Sequence, residues 1–122
     1  SNDPYWQDKQ KIENGRPFFK KYIPIIKEIS GAGWEPVTLA TANSSEIRIE
    51  RFGKNGRLFF TVRNNGDKTV ACNIAVDLRK LGITDKFTAY EMVEGKPVKP
   101  EKTILTINVP AGRTRVIRIN AE

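Results

Sequence analysis

The chain reads as a mainly β protein, an antiparallel β-sandwich of about seven or eight strands, immunoglobulin-like or Greek-key in type, preceded by an amphipathic α-helix. Three observations predict this. From Trp34 onward, apolar and polar residues alternate in short stretches. Turn-forming clusters interrupt those stretches at intervals of roughly ten residues. Ahead of them, residues 17–33 carry apolar positions at helical spacing instead.

Pro17 opens the helix, where a missing N–H costs nothing and its fixed φ suits the first turn. Phe18, Tyr22, Ile25 and Ile29 form one stripe, with Phe19, Ile23 and Ile26 beside it. Lys20, Lys21, Lys27 and Glu28 take the other side. Pro24 lies inside the pattern and removes one backbone donor. Ser30-Gly31-Ala32-Gly33 is a glycine stop. Before this helix, Asp3-Pro4 reads as an N-cap and first-turn proline, and Asn14-Gly15 as a break.

The strands follow in order. A first short one is expected in "VTLAT", then "EIRIERFG", with Ile47 and Ile49 on one face and Glu46, Arg48 and Glu50 on the other. "RLFFTVRN" aligns Leu58, Phe60 and Val62, and "TVACNIAVDL" aligns Val70, Cys72, Ile74, Val76 and Leu78. "KFTAYEMV", "TILTINV" and "RTRVIRI" complete the set, and "LRKLGI" reads as a single helical turn between sheets. "GKNG" and "NNGD" read as hairpin turns, and "EGKP" and "PAGR" as further turns.

Composition excludes several chemistries. At 122 residues the chain is one domain able to bury a core without staples. It has no histidine and one cysteine, which removes Cys/His zinc sites and the usual partner of a cysteine nucleophile. Cys72 shares a face with Val70 and Ile74 and reads as a small core residue. The net charge is +7; residues 1–36 hold six basic and five acidic groups, so +6 of it sits on the β part. That charge is spread rather than gathered into a tract, so nucleic acid is not expected as a partner. No apolar run approaches the roughly 20 residues of a membrane span.

The fourteen carboxylates fall mostly on outward strand positions or in turns, including Glu91 and Glu94 at a strand end, and none has a partner that spacing identifies. No Walker loop, dinucleotide fingerprint, nucleophile elbow or calcium loop is present. Among the aromatics, Trp34 is expected to pack between helix and sandwich, and Tyr90 shares a face with Thr88 and Met92. No row of aromatics on one sheet face suggests a glycan cleft.

The order of elements resembles the tail of a family of glycoside hydrolases. In these the last helix of a (β/α)₈ barrel leads into a C-terminal all-β domain. The matching stretches are "FFKKYIPIIKEI", the junction "GWEPVTLA", the opening "RIERFG", then "FFTVRNNGDKTV" and the closing hairpin "LTINVPAGRTRVIRI". They cover most of residues 13–119. The resemblance implies that residues 1–33 belong with the end of a barrel and 34–122 form the appended sandwich. It implies interdomain packing by Phe18, Tyr22, Ile25, Ile26, Ile29 and Trp34, with the catalytic barrel of the same polypeptide as partner. The family's two carboxylates stand on barrel strands, so the resemblance places no catalytic, cofactor or metal residue here and no hydrolase activity in this chain alone. It suggests an accessory role, stabilising the barrel and shaping the substrate cleft, in a secreted or periplasmic enzyme. Two other readings stand beside it. One is a carbohydrate-binding module contacting glycan through Trp6 or Tyr90. The other is a basic domain for anionic partners.

Overall fold

The computed structural model describes residues 16–121, with side chains from Lys20 onward. Helix α1 (Arg16–Ala32) precedes the strands β1 (Trp34–Glu35), β2 (Ala40–Ala42), β3 (Ile47–Lys54), β4 (Arg57–Asn64) and β5 (Val70–Val76). A helical turn, α2 (Leu78–Leu81), follows, then β6 (Phe87–Glu91), β7 (Lys96–Val98), β8 (Ile104–Val109) and β9 (Thr114–Ala121). All strand pairs are antiparallel, in a six-stranded sheet of order β1-β3-β4-β9-β6-β7 and a three-stranded sheet of order β2-β5-β8. The expected sandwich is present. β1 and β7 are short edge strands beyond those read from the sequence.

Alternation puts Leu58, Phe60 and Val62 of β4, Ile117 and Ile119 of β9, and Phe87 and Ala89 of β6 on the inner face of the larger sheet. They meet Cys72, Ile74 and Val76 of β5 and Leu105, Ile107 and Val109 of β8. A second cluster lies on the opposite face of the same sheet. There Tyr22, Ile25 and Ile29 of α1 cover Phe59 and Val116, with Val93 closing one end. Each such large side chain contributes about 1.5–3 kcal/mol when taken from water. The helix runs through Pro24, which lies on its exposed side, and stops where the Gly33 N–H donates to the Ile29 carbonyl at φ +91°. α2 is the single turn expected, capped by Asp77, whose Oδ1 accepts from the Lys80 N–H at 3.1 Å.

Two turns differ from the sequence reading. "GKNG" does make the β3–β4 hairpin, with Asn55 at φ +60°. "NNGD" instead carries the chain from one sheet to the other, and so does "PAGR", because β4 and β9 lie in the large sheet while β5 and β8 lie in the small one. The closing β8–β9 unit is therefore an arch between sheets and not a hairpin. Turn composition marks a reversal, but register pairing decides the partner.

Asn64 ties both arches together. Its side chain is fully buried, and its Nδ2 donates to the Lys68 carbonyl at 2.7 Å and the Val109 carbonyl at 2.9 Å. Its Oδ1 accepts from the Gly66 N–H at 2.8 Å. Its backbone accepts from Gly112 and donates to the Arg113 carbonyl. All the hydrogen-bonding capacity of the amide nitrogen is spent on one loop and the end of β8.

Two expected outcomes follow. Asn64→Ala lowers unfolding free energy by about 3 kcal/mol, and Asn64→Asp by at least as much, because a carboxylate oxygen would face two carbonyls; urea unfolding measures both. Cys72 is free and completely buried, and burial pushes its thiol pKa up from 9.0. The neutral thiol is favoured in the native state. Its contribution is therefore intact below the unfolded thiol's pKa and is lost as pH rises through the higher folded value. A thiol reagent should react only on unfolding, and Cys72→Ala should flatten the alkaline decline of Tm.

Candidate functional site

The large sheet's outer face carries the surfaces available for function. Register aligns one row across it, Trp34, Phe52, Phe59, Arg118, Tyr90 and Pro97, on β1, β3, β4, β9, β6 and β7. An aromatic row thus exists where the sequence suggested none, because the residues come from strands distant in sequence. α1 splits it. Phe59 is fully buried under the helix, Phe52 is half-buried at its margin, and Trp34 at the sheet edge is 56% exposed. On the far side, the Arg118 guanidinium lies 5.1 Å from the centre of the half-buried Tyr90 ring.

The residues expected at an interdomain surface divide accordingly. Tyr22, Ile25 and Ile29 are buried within the chain itself, against the sheet. Ile26, 37% exposed, is not, and Ile23 beside it is 44% exposed. Trp34 does not pack between helix and sandwich as expected. It stands on a two-residue edge strand paired on one side only, with β3, and is left 56% exposed. The side chain of Phe18, and all of Trp6, lie outside the described residues.

Glu91 corrects another expectation. It is 1% exposed, and its carboxylate accepts from the N–H groups of Val93 at 3.0 Å, Glu94 at 2.6 Å and Val116 at 2.9 Å. It caps the turn that ends β6 and fastens that turn to β9, which is also why Met92 and Val93 leave the strand. Glu94 is engaged too, with Oε1 at 3.5 Å from both Lys96 Nζ and Arg115 Nε. The two neighbouring carboxylates are therefore occupied by structure and are not a free acid–base pair. Arg51 and Arg115 are nearly buried as well. Arg51 donates from Nε to the Val37 carbonyl at 2.8 Å and from Nη1 to the Gly53 carbonyl at 3.1 Å, fixing the junction after β1.

A usable signal for these three was present in the sequence. Glu91 follows Phe87 and Ala89 on the inward parity of β6, Arg51 follows Ile47 and Ile49, and Arg115 precedes Ile117 and Ile119. A charge on the apolar parity of a strand marks a structural tie.

Other features carry little chemistry. A shallow cleft of about 450 Å³ lies along Thr38–Thr41 and Ala75–Asp77, without convergent charged groups beyond the capping Asp77. Among the described residues no group of three or more His, Cys, Asp or Glu could hold a metal, and no helix is long and apolar enough to cross a membrane.

What the fold defines is a class: a mainly β, antiparallel sandwich with one helix laid on its larger sheet. No protein-family model and no curated protein matches the chain. Among solved structures it is similar to a GH30 endoxylanase from Clostridium papyrosolvens C71, with a TM-score of 0.46 and 10% identity. That match covers 66% of this chain and 21% of the endoxylanase chain.

Glu91→Gln is expected to lower stability by about 2 kcal/mol, since one of two accepting oxygens becomes a donor facing N–H groups. Glu91→Asp, too short to reach across to Val116, should behave similarly; chemical denaturation of both variants checks this.

Proposed function

We propose that this chain is a non-catalytic accessory domain of a glycoside hydrolase. In this reading residues 34–122 form the appended sandwich, and residues 1–33 belong with the end of a catalytic barrel in the same polypeptide. One observation carries the reading. The exposed large hydrophobics among the described residues are Ile23, Ile26, Trp34 and Val37, all within the helix and the junction after it. The strands beyond them hold their large apolar residues in the two cores. Exposed apolar surface confined to one stretch marks a contact that another body completes. The order helix, "GAGWEPVT" junction and sandwich supports a preceding barrel as that body. The engagement of Glu91 and Glu94 in turn and ion-pair contacts supports a role without chemistry of its own. The same junction, held by Arg51, would set the angle between barrel and sandwich.

The test has two parts. The purified chain should show no hydrolysis and no salt-resistant retention on a panel of neutral polysaccharides. It should also bind a hydrophobic dye or self-associate, and the double change Ile26→Lys with Trp34→Ser should abolish this while shifting stability by less than about 1 kcal/mol. Salt-resistant retention on a neutral glycan, lost in Trp34→Ala or Tyr90→Ala, would replace the accessory reading with a carbohydrate-binding module. A double variant that unfolds would show these residues to be core instead.

A further inference from the structure

The outer face of the large sheet, beyond the part covered by α1, gathers positive charge that the linear sequence disperses. Lys54 and Arg57 are directly paired across the β3–β4 hairpin. Continuing the β4–β9 register one step past Leu58 and Ile119 sets Arg57 beside Asn120, and Asn120 pairs with Thr88. The adjacent row holds Arg118 and Tyr90. Neighbours across strands stand about 5 Å apart and diagonal ones about 7–8 Å, so Arg57 and Arg118 can reach one ligand.

Among the described residues no ion pair compensates these cations. Ion pairs among the described residues include Arg48 with Glu50, Arg51 with Glu35, and Lys96 and Arg115 with Glu94. None involves Lys54, Arg57 or Arg118, and no carboxylate occupies either row. Like charges directly opposite on neighbouring strands repel, so the Lys54–Arg57 pair costs the hairpin stability. Arg118 is additionally held in place by the Tyr90 ring, which orients the guanidinium without using its N–H donors.

We propose that Arg118, Arg57 and Lys54 form a binding surface for a carboxylate-bearing polysaccharide. A planar guanidinium matches a carboxylate through two parallel hydrogen bonds, and Thr88 and Asn120 beside it suit sugar hydroxyls. Nucleic acid fits less well, because Phe59 opposite Arg118 is buried and Arg118 lies over the Tyr90 ring, taking the face on which a base would stack. The choice of a saccharide as the polymer rests on the glycoside-hydrolase reading; the anion surface itself does not.

Affinity electrophoresis of the full chain in gels containing polygalacturonate, neutral glucan, heparin or duplex DNA tests this. Polygalacturonate should retard the protein, with the effect fading between about 50 and about 200 mM salt, and neutral glucan should not. Arg57→Gln with Arg118→Gln should weaken binding about tenfold or more. Arg118→Lys, which keeps the charge but loses the fork, should fall between. The control Arg79→Gln with Lys80→Gln on α2 removes the same charge and should change little. Arg57→Gln alone, at an exposed position, covers the case in which the double variant fails to fold. No retardation by polygalacturonate, or equal loss in the α2 control, overturns the proposal. Stronger retardation by heparin moves the site to sulfated glycans, and stronger retardation by DNA moves it to nucleic acid; either result overturns the carboxylate assignment. Retardation by neutral glucan that survives high salt would instead sink the accessory reading, so the two failures are distinguishable.

Discussion

The structure depends on the large sheet being buried on both faces at its centre. β4 carries Leu58, Phe60 and Val62 inward and Phe59 outward, and all four are completely buried. The inward three need the small sheet and the outward one needs α1. The helix therefore completes a second core on the outer face of the large sheet, and removing it would open Phe59 and Val116 to water. Three layers result, helix on sheet on sheet, although only the last two form the sandwich proper.

Polar residues then hold the ends of those layers where apolar packing runs out. Asn64 joins the two arches that cross between the sheets, Glu91 fastens the β6–β7 turn to β9, and Arg51 holds the junction to β3. Each is a buried group with backbone partners, so each is satisfied by main-chain atoms whose positions depend on correct register. That makes them sensitive to misfolding as well as to substitution, because a slipped strand would strand a buried polar group. Gly53 belongs to the same region. At φ +82°, a Cβ there would meet the Arg57 carbonyl oxygen, and its N–H donates to the Gly33 carbonyl at 2.7 Å, coupling the helix stop to the first hairpin.

What remains for function lies outside these ties. The two candidate surfaces are physically different. The helix flank and junction are apolar and suit a permanent neighbour, since such area gains most when fully dried. The strip beyond the helix is cationic and half-wet, which suits a transient, salt-sensitive ligand. The two surfaces adjoin at one end, because Phe52, two residues before Lys54, pairs with Trp34, while Arg118 and Tyr90 lie further along the outer face.

The amino-acid sequence by itself determined the elements. Period-two alternation from Ile47 onward, the helical spacing of Tyr22, Ile25 and Ile29, and the Gly33 stop are local signals that the main elements follow, while β2 lies later than its stretch, β6 ends two residues early and the short edge strands β1 and β7 are not read from them. Cys72 was legible as core for the same reason. The pairing of strands was decided only in three dimensions. Which sheet β5 and β8 joined, whether "PAGR" made a hairpin or an arch, and that Trp34, Phe52, Phe59, Arg118 and Tyr90 share a row all depend on register between segments tens of residues apart. Trp34 shows the limit most directly. Its size and place argued for burial, yet it stands on a two-residue edge strand with a paired strand on one side only, and it is exposed. Local periodicity says which way a side chain points, while exposure and charge clustering depend on what stands opposite, and only the tertiary structure supplies that.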